Sequence, residues 1–545
     1  MGKPATPGYV TFVPRVLFIE NHDSFSWNVI DALPFERREV EIVRPDKANL
    51  DGFEVVVMGP GPTDPERAGL VDLVREVARR GLPFLGVCLG HQALGLAFGA
   101  TLRRSTPAHG KRAVAHFADF RGLQGPMEVM RYHSLSLIDV PSPLRVVASL
   151  EDGTVMAIAH ESLPMVGVQF HPDSFGTPRG RELLATLLPS PCASGERARV
   201  RGRPEHDAAP NPNPEPTETP LSTLATHTNL ALLAPAYSGT NTWTLVEDLH
   251  PAPTGPLHFA SAEGALTRFT GRISAITPVF DLPLEAPTVE LDDRGFLDGI
   301  TTIRQRIAAG DVYQVNLTLR AALTTPSGPA LLTWLCRNTV PRFAAWVKSP
   351  HLGEFVSASP ELLVETDGRH VHVEPMKGTA GPTERAWLEG SEKDRAELAM
   401  ITDLLRDDLH RLCEPGSVHV TNERRFIELP YVLQAVADVE GTLRAGCSIE
   451  EVLRVVHPGG SVTGAPREAA LSIISQLETS ARGAYCGTLG LEREGASRFA
   501  LLIRTAEKLE TGWRYGVGGG ITWDSDPAAE LAEVRLKLGA LTLRA

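Results

Sequence analysis

The sequence is poor in the features that mark secreted, metal-structured and membrane-spanning proteins. It has six cysteines in 545 residues, and no two of them form a Cys-x-x-Cys pair. Scattered thiols without ligand spacing exclude a disulfide framework and a structural zinc site, and they favour a reducing, cytoplasmic setting. No apolar run approaches the length of a membrane span, so we expect no membrane partner. The cysteines stand at positions 88, 192, 336, 413, 447 and 486.

Basic residues are outnumbered by acidic ones. The formal net charge is −13, and no group of Lys and Arg is dense enough to follow a phosphate backbone. Such a chain is a poor partner for nucleic acids and anionic membranes. The length predicts two or more domains, each with an ample core.

A proline-rich stretch divides the chain. Eight prolines fall between Pro189 and Pro220 and apolar residues nearly vanish there, which predicts an extended, semi-rigid linker. We therefore predict one domain over residues 1–188, a linker over 189–224 and a second domain over 225–545. The first domain alternates short apolar strands with helices and predicts a parallel α/β sheet, whereas the second mixes strands with long amphipathic helices, as α+β folds do.

Cys88 is the strongest candidate nucleophile. An apolar run, Leu82 to Val87, leads into it, glycines stand two residues to either side (Gly86 and Gly90), and a helix-like run follows from His91 to Phe98. This is the nucleophile-elbow pattern with a thiol in place of the serine hydroxyl. The helix N-terminus stabilises a thiolate and offers backbone N–H groups to an oxyanion.

Partners for such a thiol stand elsewhere in the chain. A buried-strand pattern at 166–170 leads into His171, and Asp173 follows two residues later, which gives the order nucleophile, base and orienting carboxylate. The strand Val55 to Met58 runs into a Gly-Pro-Gly-Pro turn at 59–62. That turn can aim a backbone N–H at the site and complement the N–H of Leu89 in an oxyanion hole.

With these motifs, residues 14 to about 188 resemble the class I glutamine amidotransferases, in particular the subunit that supplies ammonia to anthranilate and aminodeoxychorismate synthases. The resemblance implies a flavodoxin-like sheet, Cys88 as nucleophile and His171 as base. Its implied glutamine-binding and oxyanion positions are Gly59, Gly61, Leu89, Gln92, Ser134 and Leu135. The family usually has Glu where this chain has Asp173, so we expect either a long contact with His171 or a slightly shifted backbone. The matching blocks are 19–25, 59–62, 86–92, 109–111, 131–135 and 169–173.

Two acidic pairs stand out in the second domain. Asp394 and Glu397 lie three residues apart in one predicted helix, and Glu530 and Glu533 lie three apart in another. Each pair shares a helical face, and two such faces that meet would suit Mg²⁺. Each pair alone also fits a solvated surface. A glycine-rich strand end at 516–520 offers bare backbone for a carboxylate, and Arg504 offers a bidentate fork.

Together these features resemble the chorismate-utilising enzymes over residues 297 to 540. The resemblance implies that Glu397 and Glu533 hold Mg²⁺ with Asp394 and Glu530 beside them. It implies chorismate contacts at Gly378, Thr379, Tyr485, Arg504, Gly518 and Gly520. The matching blocks are 310–317, 359–362, 375–379, 400–406, 459–466, 482–487 and the glycine run.

Three positions distinguish the branches of that family, which differ in nucleophile and product. Members that add water have a lysine base where this chain has Gln314, and an amide cannot deprotonate water. Anthranilate synthases have alanine in the motif where this chain has Lys377, as aminodeoxychorismate synthases do. They also have a proton-transferring histidine where Gln434 aligns. A lysine amine can add covalently to the ring, so the sequence predicts Lys377 as a catalytic residue.

The prediction is a fused enzyme that hydrolyses glutamine and aminates chorismate at C4, with no separate amidotransferase subunit needed. A fused anthranilate synthase is the alternative enzyme, and a catalytically silent fusion is the alternative of another class. Three residues of the second domain depart from the pattern of the chorismate-utilising enzymes: Glu374 replaces an arginine, Asp407 an asparagine and Arg467 a lysine.

Overall fold

The computed structural model describes residues 15–188, 243–252, 255, 257–264, 266–276, 293–324, 327–336, 341–349, 351–428, 432–493 and 495–542. The predicted linker, Cys192 and the predicted start of the second domain at residue 225 lie outside these ranges, so the domain limits stay predictions. The chain folds into two compact units. Within the described ranges, no helix combines the length and apolar character needed to cross a bilayer.

The N-terminal unit is built on one nine-stranded sheet, in the order β2-β1-β3-β4-β9-β8-β7-β5-β6. Its elements are β1 (Val16–Ile19), α1 (Ser26–Ala32), β2 (Val40–Val43), β3 (Val55–Met58), α2 (Leu70–Arg79), β4 (Phe84–Val87), α3 (Leu89–Ala97), β5 (Thr101–Phe120), β6 (Leu123–Ile138), β7 (Leu144–Ser149), β8 (Val155–His160), β9 (Met165–Val168) and α4 (Gly180–Leu187).

Strands β2, β1, β3, β4 and β9 pair in parallel. Of these, β1, β3, β4 and β9 are buried along their whole length, and their near-continuous apolar sequences are typical of parallel strands covered on both faces. The predicted parallel α/β sheet is confirmed for these strands. The antiparallel extension through β8 and β7 was not predicted. Because the carboxyl ends of parallel strands share one edge, the turns after β1, β3, β4 and β9 converge there.

The C-terminal unit contains one sixteen-stranded sheet, in the order β18-β20-β17-β16-β23-β22-β11-β12-β10-β14-β15-β24-β25-β13-β21, with β19 paired to β20. Its strands are β10 (Trp243–Pro251), β11 (Leu257–Ala260), β12 (Thr267–Ile276), β13 (Gln314–Leu323), β14 (Phe343–Ser349), β15 (Gly353–Ser359), β16 (Leu362–Thr366), β17 (His370–Val373), β18 (Met376–Ala380), β19 (His419–Glu428), β20 (Leu433–Thr442), β21 (Gly464–Ala465), β22 (Thr488–Arg493), β23 (Ala496–Leu501), β24 (Thr505–Leu509) and β25 (Gly512–Ile521).

The helices of this unit pack on the sheet. They are α5 (Asp293–Ala308), α6 (Gly328–Cys336), α7 (Arg385–Gly390), α8 (Glu392–His410), α9 (Ile449–Val456), α10 (Gly460–Thr463), α11 (Arg467–Leu477), α12 (Pro527–Lys537) and α13 (Gly539–Thr542). A core of apolar side chains joins α5, α6, α11 and α12 to β13 and β25 of the sheet. The mixture of sheet and helices agrees with the predicted α+β class.

Local signals explain where the two acid-bearing helices begin. Ser391 accepts a hydrogen bond from the Asp394 N–H and caps α8, and Asp526 accepts one from the Ala529 N–H and caps α12, with Pro527 at the first helical position. Both caps satisfy donors that a helix start leaves open. Asp394 and Glu530 therefore lie in the first turns of their helices, and Glu397 and Glu533 follow one turn later.

Candidate active sites

The backbone at Cys88 has the conformation of a nucleophile elbow. Cys88 lies between β4 and α3 with φ 52° and ψ −97°, a left-handed φ that a residue other than glycine rarely adopts. A β-carbon on Gly86 would lie 2.4 Å from the backbone of Gly90, and one on Gly90 would lie 2.4 Å from the Met58 carbonyl oxygen. The two glycines are therefore required by close packing, as the spacing predicted.

His171 and Asp173 lie in the turn that follows β9, and both are buried. The Nδ1 atom of His171 is 3.3 Å from Oδ1 of Asp173, at the long end of the hydrogen-bond range. Burial by itself would lower the pKa of His171, but Asp173 and Cys88 outweigh it and raise the pKa well above the usual range. The shorter Asp side chain thus still supports an imidazolium next to the thiol.

The turn after β3 lies beside the residue that follows the nucleophile. Asn21 Nδ2 donates to the Gly59 carbonyl oxygen at 2.9 Å and to that of Pro60 at 3.3 Å. A β-carbon on Gly61 would lie 2.7 Å from Leu89. The predicted oxyanion positions Gly59, Gly61 and Leu89 are therefore neighbours, and Asn21, which the sequence reasoning missed, fixes their turn.

The predicted glutamine clamp is also brought together. Gln92 Nε2 donates to the Leu135 carbonyl oxygen at 3.0 Å, and Ser134 Oγ lies 3.2 Å from His109 Nε2. Gln92 Nε2 also lies 3.2 Å from Oε1 of Gln169. Gln169 was not predicted as a site residue, although it stands two residues before His171.

In the C-terminal unit, Lys377 lies in β18 and is 9% exposed. A β-carbon on Gly520 would lie 2.8 Å from Lys377 Nζ, 3.0 Å from Glu397 Oε2 and 2.3 Å from Gln314 Nε2. The structure therefore brings the predicted lysine, a predicted metal ligand and a predicted chorismate contact to one point. Burial lowers the pKa of Lys377, while Glu397 opposes the shift. A lowered pKa makes the neutral, nucleophilic amine more accessible.

The two acidic pairs differ in their surroundings. The ammonium of Lys393 pairs with Glu530 and lies 3.4 Å from Glu397 Oε1, so it links α8 to α12. Lys537 pairs with Glu533 at 2.8 Å. Burial raises the pKa of Glu397 to about 7, whereas Glu533 has a pKa lowered to about 2 because Lys537 outweighs the effect of its burial.

Asp394 and two of the predicted chorismate contacts, Gly378 and Thr379, lie in or beside β18. Asp394 accepts a hydrogen bond from the Ser391 hydroxyl and packs against Gly378, which has φ 92°. Thr379 in β18 is the cross-strand partner of Gln434 in β20.

Tyr485 packs against the glycine run of β25. A β-carbon on Gly516 would lie 2.1 Å from the Tyr485 ring, and one on Gly518 would lie 2.5 Å from the Leu317 carbonyl oxygen. Arg504 occupies the turn between β23 and β24 with φ 51°. The glycines are thus needed for packing as much as for access to the backbone.

Glu361 is a buried carboxyl that the sequence reasoning did not assign. Burial raises its pKa to about 7, although the Ser461 hydroxyl donates to it at 2.6 Å and Lys377 favours its charged form. A carboxyl with that pKa beside a lysine is a candidate acid. Its signal in the sequence was its place directly after β15 in the Ser-Pro-Glu block.

Each of the three departures from the family pattern finds an opposite charge. Glu374 pairs with Arg342 and Arg425, Asp407 pairs with Arg411, and Arg467 pairs with Asp408. Glu374 also belongs, with His372 and Asp438, to a group whose ligand atoms lie within 4.8 Å of one another. Guanidinium groups already bind both carboxylates, so we assign no metal to this group.

Two family models match the chain. Residues 17–188 match the class-I glutamine amidotransferases, and residues 277–543 match the chorismate binding enzymes. The fold and the two sites therefore define a glutamine amidotransferase fused to a chorismate binding enzyme.

Two relatives match both parts of the chain over nearly their whole length. The aminodeoxychorismate synthase of Streptomyces griseus is 31% identical over 97% of this chain and 95% of its own length, and that of Streptomyces pristinaespiralis is 29% identical over 96% of each. Anthranilate synthase component 1 of Streptomyces coelicolor is 36% identical, but the match covers 50% of this chain and 55% of that protein. The chain belongs to the aminodeoxychorismate synthase family.

Proposed function

We propose that the chain converts chorismate and glutamine to 4-amino-4-deoxychorismate and glutamate, on the route to p-aminobenzoate. The observation that carries the choice of product is Lys377, a buried lysine beside Gly520 and Glu397. We further propose that residues 1–188 are the glutaminase domain and residues 225–545 the aminating domain. A free thiol nucleophile is compatible with a cytoplasmic location.

Glutamine hydrolysis starts at Cys88. The thiolate attacks the side-chain amide carbon, and the oxyanion is stabilised by the backbone N–H of Leu89 together with the turn at Gly59–Gly61. His171 donates a proton to the leaving ammonia and then activates water, which hydrolyses the thioester to glutamate. Asp173 orients the imidazole and stabilises its charged form. Gln92 and the 134–135 backbone hold the substrate.

Amination proceeds at the ring of chorismate. The neutral amine of Lys377 adds to C2, and the C4 hydroxyl leaves with a proton, for which Glu361 is the nearby buried acid. Ammonia then forms the C4–N bond, and the C2–N bond to Lys377 breaks, so the lysine is regenerated. Gly378, Thr379, Tyr485, Arg504, Gly518 and Gly520 are proposed to hold the substrate.

We propose that the acidic residues of α8 and α12 bind Mg²⁺. Glu397 Oε1 is buried and accepts no hydrogen bond within the described part of the chain, although Lys393 lies 3.4 Å away. An open carboxylate oxygen next to a second acidic helix matches the oxygen donors that Mg²⁺ takes. Glu397 and Glu533 would hold the ion, with Asp394 and Glu530 beside them. When bound, Mg²⁺ would neutralise the substrate carboxylate and polarise it.

A fused anthranilate synthase is the other candidate, because component 1 of that enzyme matches half of this chain. Two positions disfavour it. Lys377 supplies a covalent relay to C4, and Gln434 cannot transfer the proton that elimination to anthranilate would need.

The test separates the two reactions. Cys88→Ser should abolish glutamine-dependent turnover and leave amination with ammonium salts within about twofold of the unmutated enzyme, because the thiol acts only in the glutaminase reaction. Products are identified by chromatography and mass spectrometry. Equal loss of ammonia-dependent activity would disprove the two-site division, and fluorescent anthranilate from the unmutated enzyme would overturn the choice of product.

A further inference from the structure

The side chain of Gln169 lies between the nucleophile and the glutamine clamp. Gln169 directly follows β9, is fully buried, and donates its backbone N–H to the Met156 carbonyl oxygen at 2.8 Å. Its side-chain Nε2 is 3.6 Å from Cys88 Sγ, and its Oε1 is 3.2 Å from Gln92 Nε2. One amide therefore bridges the two residues on which the proposed glutaminase chemistry depends.

The hydrogen-bond pattern fixes which end of the Gln169 amide faces the sulfur. The Leu135 carbonyl oxygen can only accept, so the Gln92 atom that lies 3.0 Å from it must be the donor Nε2. That same Nε2 faces Gln169, which must present its oxygen there. The Gln169 NH₂ group is consequently left pointing at Cys88 Sγ. Gln92 therefore donates to Gln169, and Gln169 in turn donates to the sulfur of Cys88.

We infer that Gln169 is a positioning residue that stabilises the thiolate form of Cys88 and aligns Gln92 for the substrate. This inference rests on the proposed glutaminase function. An N–H donor gains strength when its acceptor is charged, so the contact favours the thiolate over the thiol. At an elbow where φ is left-handed, the same contact limits rotation of the sulfur. Gln169 itself takes no part in bond making.

The experiment compares two substitutions in the full-length chain. Gln169→Leu removes the donor and keeps a similar volume. Gln169→Glu keeps an oxygen toward Gln92 but cannot donate to the sulfur. Gln124→Leu, the same exchange at an exposed position of β6, is the matched control. The rate of iodoacetamide alkylation of Cys88 is followed against pH by mass spectrometry of its peptide, so that the other cysteines do not interfere.

A hydrogen bond to a charged acceptor corresponds to about a tenfold change in the ionisation equilibrium. We therefore expect the alkylation midpoint to move up by about one pH unit in Gln169→Leu and further in Gln169→Glu. Glutaminase kcat below that midpoint should fall about tenfold. KM should change less, because Gln92 keeps its bond to Leu135. Gln124→Leu should match the unmutated protein in all three measurements.

The outcomes are distinguishable. An unmoved alkylation midpoint in either Gln169 variant that retains a cooperative thermal transition would overturn the inference. A change in KM alone would also overturn it, because it would reduce Gln169 to a support for Gln92. If the unmutated chain reacts with iodoacetamide but hydrolyses no glutamine, the proposed glutaminase function fails instead.

Discussion

Replacing Gly520 with alanine should slow amination while leaving the glutaminase reaction intact. The added β-carbon would lie 2.3 Å from Gln314 Nε2, 2.8 Å from Lys377 Nζ and 3.0 Å from Glu397 Oε2. Ordinary contact between such atoms begins at about 3.5 Å, so the methyl overlaps three side chains by roughly 0.5 to 1.2 Å. All three contacting atoms are the ends of side chains, so these side chains must move to admit the methyl group.

The size of the effect follows from that overlap. Gln314 can move its amide end, but Lys377 and Glu397 must each retreat by about half an ångström from the place where substrate is proposed to bind. A misplacement of about 1 Å can cost about a hundredfold in rate. Because the derived retreat is about half of that distance, we expect kcat/KM for chorismate to fall about tenfold, equivalent to about 1.4 kcal/mol. Overpacking should cost about 1–3 kcal/mol of stability, so the chain should remain folded.

The neighbouring glycine supplies the control. A β-carbon on Gly519 would meet only Glu530 Oε2, at 3.5 Å, which is ordinary contact. Gly519→Ala should therefore retain at least a third of the activity. The assay uses ammonium salts, chorismate and Mg²⁺, with the amine product quantified by chromatography and glutaminase measured separately. If both variants kept their activity, or if both lost it to the same extent, the steric reasoning would be refuted.

The features that sequence predicts best are those fixed by short spacing. Gly86 and Gly90 each stand two residues from Cys88, and a β-carbon on Gly86 would meet the backbone of Gly90 itself, so the elbow can be predicted from a run of five residues. The acidic pairs are similarly local, since a helix places residues three apart on one face. Both predictions needed no knowledge of which elements are neighbours.

Contacts between distant residues could not be predicted in this way. Gln169 reaches a sulfur 81 positions earlier, and Glu374 pairs with arginines 32 and 51 positions away. From the sequence alone, the negative charge of Glu374 looks incompatible with the family pattern. In the structure, two arginines neutralise it. The antiparallel extension of the first sheet escaped prediction for a related reason, because the apolar sequence of β8 does not show whether its neighbour runs parallel or antiparallel to it.

Two further substitutions test the metal ligands and the regiochemistry. Glu397→Gln should raise the Mg²⁺ concentration needed for half-maximal amination at least tenfold, because a neutral amide is a weaker ligand than a carboxylate; an unchanged Mg²⁺ titration would remove Glu397 from the ligand set. Lys377→Ala removes the covalent relay and leaves space near C2, where ammonia could attack directly. With Gln434 unable to move a proton, elimination to anthranilate should stay slow, so an amine isomer of the same mass should accumulate and the 4-amino product should fall at least a hundredfold. Chromatography of mass-matched standards separates the two isomers, and normal formation of the 4-amino product by Lys377→Ala would rule out a covalent role for the lysine.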